Sequence, residues 1–227
     1  MENQGKLEID LIPTSSGDLK ITFLGHGSLL FNFQDKNIYI DPYSRVADYS
    51  KLPPADIILI THEHHDHLDL DALKHIQKSS TTTVMTKACA EQTSGDILMA
   101  NGDEQTVQGI HIRAVPAYNI VHKRPNGQPF HPKGMGNGYI LTFGDLQVYI
   151  AGDTENIPEM QTIKDIDVAF LPMNLPYTMT PEMVADAALA LRPRLLYPYH
   201  FGSTNTSRLT ELLHEEADIE VRIRNMA

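Results

Sequence analysis

The alternation of apolar and polar residues along the chain predicts a protein of many short strands and few helices. The uninterrupted apolar run over residues 57–60 predicts a fully buried strand. Residues 21–24 predict another strand, and residues 29–33 and 38–40 predict a hairpin with a turn at 35–37. Polar residues follow these strands, so the pattern places candidate chemistry on loops at strand ends.

Helical periodicity is confined to a few short stretches. Residues 69–78 carry acidic side chains in the first turn and basic ones later, which suits the helix dipole. Thr180 is an expected N-cap, with Pro181 at the first helical position and an apolar face after it. A last helix is expected over 207–216, and the alternation over 219–223 predicts a half-buried strand.

Two spaced patterns recur along the chain at nearly the same offset. Phe-x-Asp-x-x-Ile-Tyr-Ile at 33–40 matches Phe-x-Asp-x-x-Val-Tyr-Ile at 143–150, an offset of 143 − 33 = 110. The strand at 56–60 matches 167–171, an offset of 167 − 56 = 111. Because half the chain is about 113 residues, we interpret the sequence as two copies of one strand-rich unit.

This duplication predicts the fold class. Two such α/β units, packed sheet against sheet with helices outside, would form a four-layer αββα sandwich. We expect a single domain over residues 1–227, with duplicated halves at about 20–115 and 135–227. Residues 117–138 form a long segment rich in turn-forming residues, and loops of this length in a compact domain are often functional.

Composition and charge narrow the class of partner. The 227 residues are 41% hydrophobic and 21% charged, as in ordinary globular proteins, and the net charge of −11 disfavours a nucleic-acid surface or an anionic membrane. No apolar run approaches the length needed to span a bilayer. The single cysteine, Cys89, excludes internal disulfides, and the segment Met1 to Asp10 lacks the apolar core of a secretory signal. These features favour a cytoplasmic location.

The strongest chemical signal is Thr-His-Glu-His-His-Asp-His at 61–67, directly after the buried strand. With 11 histidines in 227 residues, six positions should hold about 0.3 of a histidine, yet positions 62–67 hold four. Imidazole nitrogens and carboxylate oxygens are the ligands of zinc and similar divalent metals. The candidate ligands in this stretch are His62, His64, Asp66 and His67.

These four side chains lie too close in sequence to bind one ion comfortably. The spacing therefore predicts two adjacent divalent ions that share bridging ligands and draw further ligands from other loops. The candidates for these further ligands, on loops at strand ends, are His131, Asp153 and His200.

The motifs resemble those of a known family. His-x-His-x-Asp-His at 62–67, a later histidine, Ala-Gly-Asp-Thr at 151–154 and a final strand-end histidine at 200 are similar to the metallo-β-lactamase superfamily. Gly-His-Gly-Ser at 25–28 with Asp-Pro at 41–42 is similar to the branch of the ascorbate-phosphate lactonases and N-acyl phosphatidylethanolamine phospholipase D. The resemblance implies an αββα sandwich, in agreement with the internal repeat.

The resemblance covers roughly residues 20–205 and implies a ligand set for two divalent ions. The implied ligands are His62, His64 and a third histidine for the first ion, and Asp66, His67 and His200 for the second. Asp153 would bridge the two ions. His131 matches the family's position for the third histidine best, and His122 on the same loop is the alternative.

Other polar residues are expected around the metals. Asp41 would accept a hydrogen bond from a ligand imidazole and so fix its tautomer, and the alternative is a role in a turn or a helix cap. Asp66 would orient the attacking hydroxide and pass a proton to the leaving group. Lys133, Asn119 and His26 are candidates for substrate binding.

The implied function is metal-dependent hydrolysis, in which a hydroxide shared by two ions attacks a small ester, lactone or phosphodiester. Zinc is the expected metal, and manganese and iron accept the same ligands. The alternatives are a redox di-iron protein, whose branch typically has Glu where this chain has His64, a nuclease, which the acidic charge disfavours, and a non-catalytic metal-binding regulator. The expected partner is a small-molecule substrate, and the sequence leaves the oligomeric state open.

Overall fold

The computed structural model describes residues 7–227, which form two seven-stranded sheets. The first sheet contains, in spatial and chain order, β1 (Glu8–Ile12), β2 (Leu19–Gly25), β3 (Ser28–Phe33), β4 (Lys36–Ile40), β5 (Ile57–Leu59), β6 (Thr82–Met85) and β7 (Ile97–Leu98). The second contains β8 (Glu104–Val107), β9 (Ile110–Ala117), β10 (Gly136–Phe143), β11 (Leu146–Ile150), β12 (Val168–Pro172), β13 (Leu195–Tyr199) and β14 (Glu220–Val221). The expectation about a secretory signal concerns Met1 to Asp10, and positions 1–6 of that segment lie outside the described residues.

The helices of the described chain are short, and α2 begins at the predicted cap, Thr180. They are α1 (Leu70–Ile76), α2 (Pro181–Leu191) and α3 (Ser207–Leu212), with 3₁₀ segments at Tyr49–Lys51, Cys89–Glu91 and Pro158–Thr162. The Asp69 carboxylate accepts from the first backbone amides of α1, and the Thr180 hydroxyl accepts from Met183 N in α2. Within residues 7–227 we find no helix long and apolar enough to cross a membrane.

The two sheets repeat one topology, which confirms the predicted duplication. In each, an antiparallel hairpin (β3–β4 or β10–β11) leads into strands that pair in parallel. Ile38 pairs with Ile57 in the first sheet, and Val148 pairs with Val168 in the second. Asp56 accepts a hydrogen bond from Asn37 N at 2.8 Å, and Asp167 accepts one from Gln147 N at 2.8 Å. These four equivalences have the offsets of 110 and 111 seen in the sequence.

Apolar side chains divide the molecule into four layers. The largest cluster lies between the sheets, where the Phe31 ring is 6.0 Å from the Phe170 ring of the opposite sheet. A second cluster joins the outer face of the first sheet to α1, and a third joins the outer face of the second sheet to α2 and α3. The αββα sandwich expected from the sequence is therefore confirmed.

Several local predictions need correction. The first hairpin turns at Gln34 and Asp35, both with positive φ, rather than at 35–37, because a tight two-residue turn matches the strand twist. The last helix ends at Leu212 rather than 216, and the last strand covers two residues rather than 219–223. Strand β1 is absent from the sequence prediction.

The charge of strand β1 is compensated from the far end of the chain. It forms the edge of the first sheet and pairs with β2 alone. The half-buried Asp10 binds the guanidinium of Arg224 at 2.8 Å and also accepts a hydrogen bond from the Tyr197 hydroxyl. No local pattern could announce partners about 190 to 210 residues away.

Candidate metal centre

The candidate metal ligands converge from both halves of the duplication. The histidine-rich loop leaves β5 in the first sheet, whereas Asp153 follows β11 and His200 follows β13 in the second. Hydrogen bonds from Asn137 N to Thr61 O (2.9 Å) and from the Tyr139 hydroxyl to Ile60 O (2.9 Å) join the sheets at this point. The loop is therefore held against the second sheet by its own backbone carbonyls.

The first group of metal-binding side chains consists of His62, His64 and His131. One potential ligand atom from each lies within 4.8 Å of the others, and Nε2 of His62 is 3.1 Å from Nδ1 of His64. His62 and His131 are buried, and His64 is half-buried. This arrangement leaves three imidazole nitrogens facing one point.

The second group consists of His26, Asp66, His67 and His200, whose potential ligand atoms also lie within 4.8 Å of one another. Nε2 of His200 is 3.8 Å from Oδ2 of Asp66, and Nε2 of His26 is 3.1 Å from the same oxygen. The His26 and His200 rings are 3.8 Å apart between centroids. His26 thus lies closer to the candidate ligands than the sequence indicated.

Asp153 lies between the two groups. Its Oδ2 is 3.2 Å from Nε2 of His131 and 3.6 Å from Nε2 of His200, and its Oδ1 is 3.5 Å from Nε2 of His67. His62, from the first group, and His67, from the second, form a third compact set with Asp153. This is the position expected of a bridging carboxylate.

Orphaned atoms show that these residues fit metal ions. His67 Nε2, His200 Nε2 and Asp153 Oδ1 are buried and have no hydrogen-bond partner among residues 7–227, although buried polar atoms almost always have one. Two nitrogens bound to one tetrahedral zinc lie about 3.3–3.4 Å apart. The separations measured here between the facing donor atoms run from 3.1 Å to 3.9 Å. A donor set of imidazole nitrogens and carboxylate oxygens with this spacing suits divalent cations.

Hydrogen bonds behind three histidines fix their tautomers. The Asp41 carboxylate can only accept, so His67 Nδ1 donates to it at 2.8 Å. The Thr61 hydroxyl donates to Asp41 at 2.6 Å and so accepts from His62 Nδ1 at 3.0 Å. Each hydrogen bond from Nδ1 turns the Nε2 atom of the same ring into the site.

The third histidine is oriented in the same way by Asn119. His131 Nδ1 donates to Asn119 Oδ1 at 2.7 Å, and the amide NH₂ of Asn119 donates to Glu155 and to the Tyr177 carbonyl. Asn119 was expected to bind substrate, but these contacts occupy its amide. The structure therefore places it behind His131, and its predicted substrate contact is not supported.

Strained backbone is concentrated at this site. His26, Asp41 and His200 have φ of 55°, 43° and 46°, in the left-handed region that side chains other than glycine rarely adopt. Each comes directly after or near the end of a strand whose hydrogen bonds hold it in place. Such outliers persist when the surroundings over-determine them, and they cluster at functional sites.

Gly27 allows the second group to close up. A Cβ at this position would lie 3.1 Å from Cε1 of His67 and 3.7 Å from Cδ2 of His200. A larger residue would therefore press on the His67 ring, whereas its contact with His200 would be an ordinary one. The Gly-His-Gly-Ser motif thus contributes a strained histidine, His26, and a glycine, Gly27, that lets the backbone lie close to the His67 ring.

The carboxylates of the site are held ionised. Burial alone would raise the pKa of Asp153, but His200, His67 and His131 outweigh it and hold that pKa well below its usual value. Burial would also raise the pKa of Asp66, but the nearby His200 imidazole and the hydrogen bond from His26 outweigh it and lower that pKa. Both groups can therefore bind cations across the neutral pH range.

The surroundings shift the pKa values of the histidines in opposite directions. Burial lowers the pKa of His62 and of His64, and neighbouring imidazoles lower it further, so both are neutral at pH 7. Burial would lower the pKa of His67 as well, but Asp153 and Asp41 raise it to about 9. Without a bound cation, His67 is therefore protonated at pH 7, and its positive charge pairs with these carboxylates.

His122, the alternative third ligand, belongs to none of the candidate groups found among residues 7–227. Its Nδ1 lies 2.7 Å from Glu155, on the far side of Asn119. Glu155 is fully buried and accepts from the backbone amides of Ile120, Val121 and His122, each at 2.6 Å. The sequence analysis missed Glu155, whose one signal was its place two residues after Asp153.

The Lys133 side chain forms an ion pair outside the cleft. Its ammonium binds Glu159 at 2.6 Å and packs over the Tyr118 ring, and it does not line the cleft beside the metal groups. An ammonium already neutralised by a carboxylate is a poor anion receptor. The prediction that Lys133 binds substrate is therefore not supported. His65 is 82% exposed, in keeping with its exclusion from the ligand set.

The chain is similar in sequence to a known family of proteins. The family model described as beta-lactamase superfamily domain matches residues 20–200. A UPF0173 metal-dependent hydrolase from Thermococcus kodakarensis is 32% identical over 198 residues, which cover 82% of this chain and 85% of that protein.

Two solved structures are similar. One, from Parabacteroides distasonis and assigned as a metal-dependent hydrolase, is 46% identical, with a TM-score of 0.93 over 98% of this chain and 100% of its own. Igni18, a metallo hydrolase from Ignicoccus hospitalis, is 24% identical, with a TM-score of 0.75 over 92% of this chain and 96% of its own. This second likeness shows the fold alone.

An αββα sandwich with clustered histidines and aspartates at its strand ends defines a metal-dependent hydrolase of the metallo-β-lactamase type. The chain belongs to the beta-lactamase superfamily and, within it, to the UPF0173 metal-dependent hydrolases. The resemblance to the branch of ascorbate-phosphate lactonases stays a prediction.

Proposed function

We propose that this protein hydrolyses a small ester, lactone or phosphodiester with two divalent metal ions. The proposed ligands are His62, His64 and His131 for one ion and Asp66, His67 and His200 for the other, with Asp153 bridging them. The observation that carries this proposal is the position of Asp153, whose Oδ2 faces His131 at 3.2 Å and His200 at 3.6 Å. One carboxylate that faces both groups supports two adjacent ions rather than one.

The ions, when bound, would supply Lewis acidity and a water of lowered pKa. The chain's own residues do the rest. Because its pKa is low, Asp66 is ionised at neutral pH and orients a water in the cleft by accepting a hydrogen bond. His26 Nε2 donates to Asp66 Oδ2 and keeps that carboxylate in place. Asp66 also borders the cleft, where it can take a proton from that water and pass the same proton to a leaving group.

The site needs both halves of the chain. His62, His64 and His67 come from the first half, whereas His131, Asp153 and His200 lie beyond the first sheet. We therefore propose that the halves act as one domain. The cytoplasmic location stays a prediction.

A redox di-iron protein is disfavoured by His64. An imidazole stands where that branch typically has a glutamate. Measured turnover distinguishes the hydrolase from the non-catalytic alternative, because a metal-binding regulator would hold its ions without hydrolysing any substrate.

The proposed function is tested by metal removal and replacement. Protein stripped with a chelator should lose hydrolysis of a panel of aryl esters, lactones and phosphodiesters, and two equivalents of zinc should restore it. Activity should fall by about 10³-fold or more on stripping, because a metal contributes several kcal/mol to the transition state. Manganese and iron are tested in parallel.

Stripped protein that hydrolyses the panel as fast as loaded protein would contradict the proposal. Full loading without turnover of any panel member would favour the non-catalytic alternative. Oxygen-dependent turnover with iron alone would favour the redox alternative.

A further inference from the structure

A cleft of about 370 Å³ opens beside the candidate metal groups. Its floor is formed by candidate ligands, including His64, Asp66 and His200. One wall consists of residues that the proposed reaction does not use, namely Arg124, Phe130, Asn174 and Tyr177. This wall is the part of the molecule that could select a substrate.

Arg124 brings an uncompensated positive charge to the cleft. It is the one lysine or arginine among the residues that line it, and within residues 7–227 it forms no ion pair. By contrast, Arg192, Arg208, Arg222 and Arg224 each bind an acidic side chain. Arg124 differs from the other arginines of the described chain that form no ion pair, Arg45, Arg113 and Arg194, because it lines this cleft.

The guanidinium is oriented by its surroundings. Its Nη2 donates to the Phe130 carbonyl at 3.3 Å, and its carbon lies 5.2 Å from the centre of the Phe130 ring. Backbone bonds from Arg124 N to Gln128 O (2.7 Å) and from Gly127 N to Arg124 O (2.9 Å) close a tight turn beneath it. Most of its five donors remain free for an anion.

Aromatic surface lies next to this charge. The Tyr177 ring meets the Phe130 ring edge to face, with centroids 5.0 Å apart, and Tyr177 is 45% exposed. The Tyr177 carbonyl accepts from Asn119, the residue that orients His131. The aromatic wall is thus tied to the candidate ligand shell through one side chain.

We propose that Arg124 binds an anionic group of the substrate that is remote from the bond being hydrolysed. The apolar part of the substrate between that group and the scissile bond lies against Tyr177. A guanidinium binds a carboxylate or a phosphate through two parallel hydrogen bonds, so the anionic group of the substrate is one of these two. The inference rests on the proposed hydrolase function and adds that the substrate carries its own negative charge.

Three aryl acetates of matched shape test this. 4-Acetoxybenzoate carries a carboxylate, 4-acetoxyphenyl phosphate carries a phosphate, and 4-acetoxybenzamide is neutral. Zinc-loaded wild type is compared with Arg124→Ala, with Arg124→Lys, and with Lys123→Ala. The last variant removes an exposed charge from the neighbouring position, which does not line the cleft, and serves as the matched control.

Arg124→Ala should lower kcat/KM by about 10- to 100-fold for at least one anionic ester, because hydrogen bonds to charged groups are strong. The amide should change by less than about threefold, and Lys123→Ala should leave all three within about twofold, as exposed charges do. Arg124→Lys should restore part of the loss. The anion with the larger loss distinguishes carboxylate from phosphate. Equal losses on the amide and both anions, or no loss, would overturn the proposal.

A binding measurement separates this inference from the proposed function. Calorimetry with zinc-loaded protein compares 4-hydroxybenzoate with 4-hydroxybenzamide and needs no turnover. Wild type should prefer the benzoate, and Arg124→Ala should abolish that preference while still binding zinc. If wild type hydrolyses none of the esters yet shows this Arg124-dependent preference, the proposed esterase activity fails and the anion site stands. No preference in wild type would overturn the anion site.

Discussion

Asp153→Ala is expected to lower kcat/KM by about 10³-fold or more, the equivalent of about 4 kcal/mol of transition-state stabilisation. The carboxylate faces His131, His200 and His67 at 3.2–3.6 Å, so its loss removes a ligand from both proposed ions at once. Metal content, measured by elemental analysis after dialysis, should fall from about two ions per chain to one or fewer.

Asp186→Ala is the matched control for this experiment. It removes a carboxylate from an exposed position on α2, a helix that contributes no candidate ligand. This variant should retain both ions and wild-type activity. Asp153→Ala with two tightly bound ions and unchanged turnover would refute the bridging role, provided that its circular dichroism spectrum is native.

Asp41→Asn is expected to lower kcat/KM by about 10- to 100-fold, the usual effect of removing the partner behind a metal-binding histidine. Asp41 is fully buried and accepts from Thr61 N, the Thr61 hydroxyl and His67 Nδ1. An amide NH₂ facing His67 would favour the tautomer with its proton on Nε2. That tautomer has its lone pair on Nδ1, facing the amide, and none on Nε2, the nitrogen that faces the site.

The same substitution should cost about 1–3 kcal/mol of unfolding free energy in urea, because a buried donor loses its acceptor. Asp167→Asn provides the comparison, since it also alters a carboxylate that accepts from a backbone amide but lies beyond the cleft. It should keep zinc affinity and activity. If Asp41→Asn kept both as well, tautomer control by Asp41 would be wrong.

Features that depend on neighbours in sequence could be predicted. The apolar run before Thr61 announced β5, and Thr180 followed by Pro181 announced the start of α2. The repeat at offsets of 110 and 111 announced the duplicated sheets, because equal patterns form equal strand pairings. The fold followed from these local signals taken in order.

Features that depend on distant partners could not be predicted. Lys133 looked available for an anion, but Glu159, 26 residues away, neutralises it. His131 and His122 could not be separated by spacing, since only the folded loop shows that Asn119 turns one inward and Glu155 holds the other. Glu155 itself acts on backbone amides 33 to 35 residues earlier, which leave no trace in a pattern.

Anomalous X-ray diffraction from zinc-loaded crystals tests the central claim most directly. Data collected on both sides of the zinc absorption edge should give two peaks about 3.5–4 Å apart, as in two-metal sites. One peak should lie against His62, His64 and His131, the other against Asp66, His67 and His200, with Asp153 touching both. A single peak, or two peaks away from Asp153, would contradict the two-ion site.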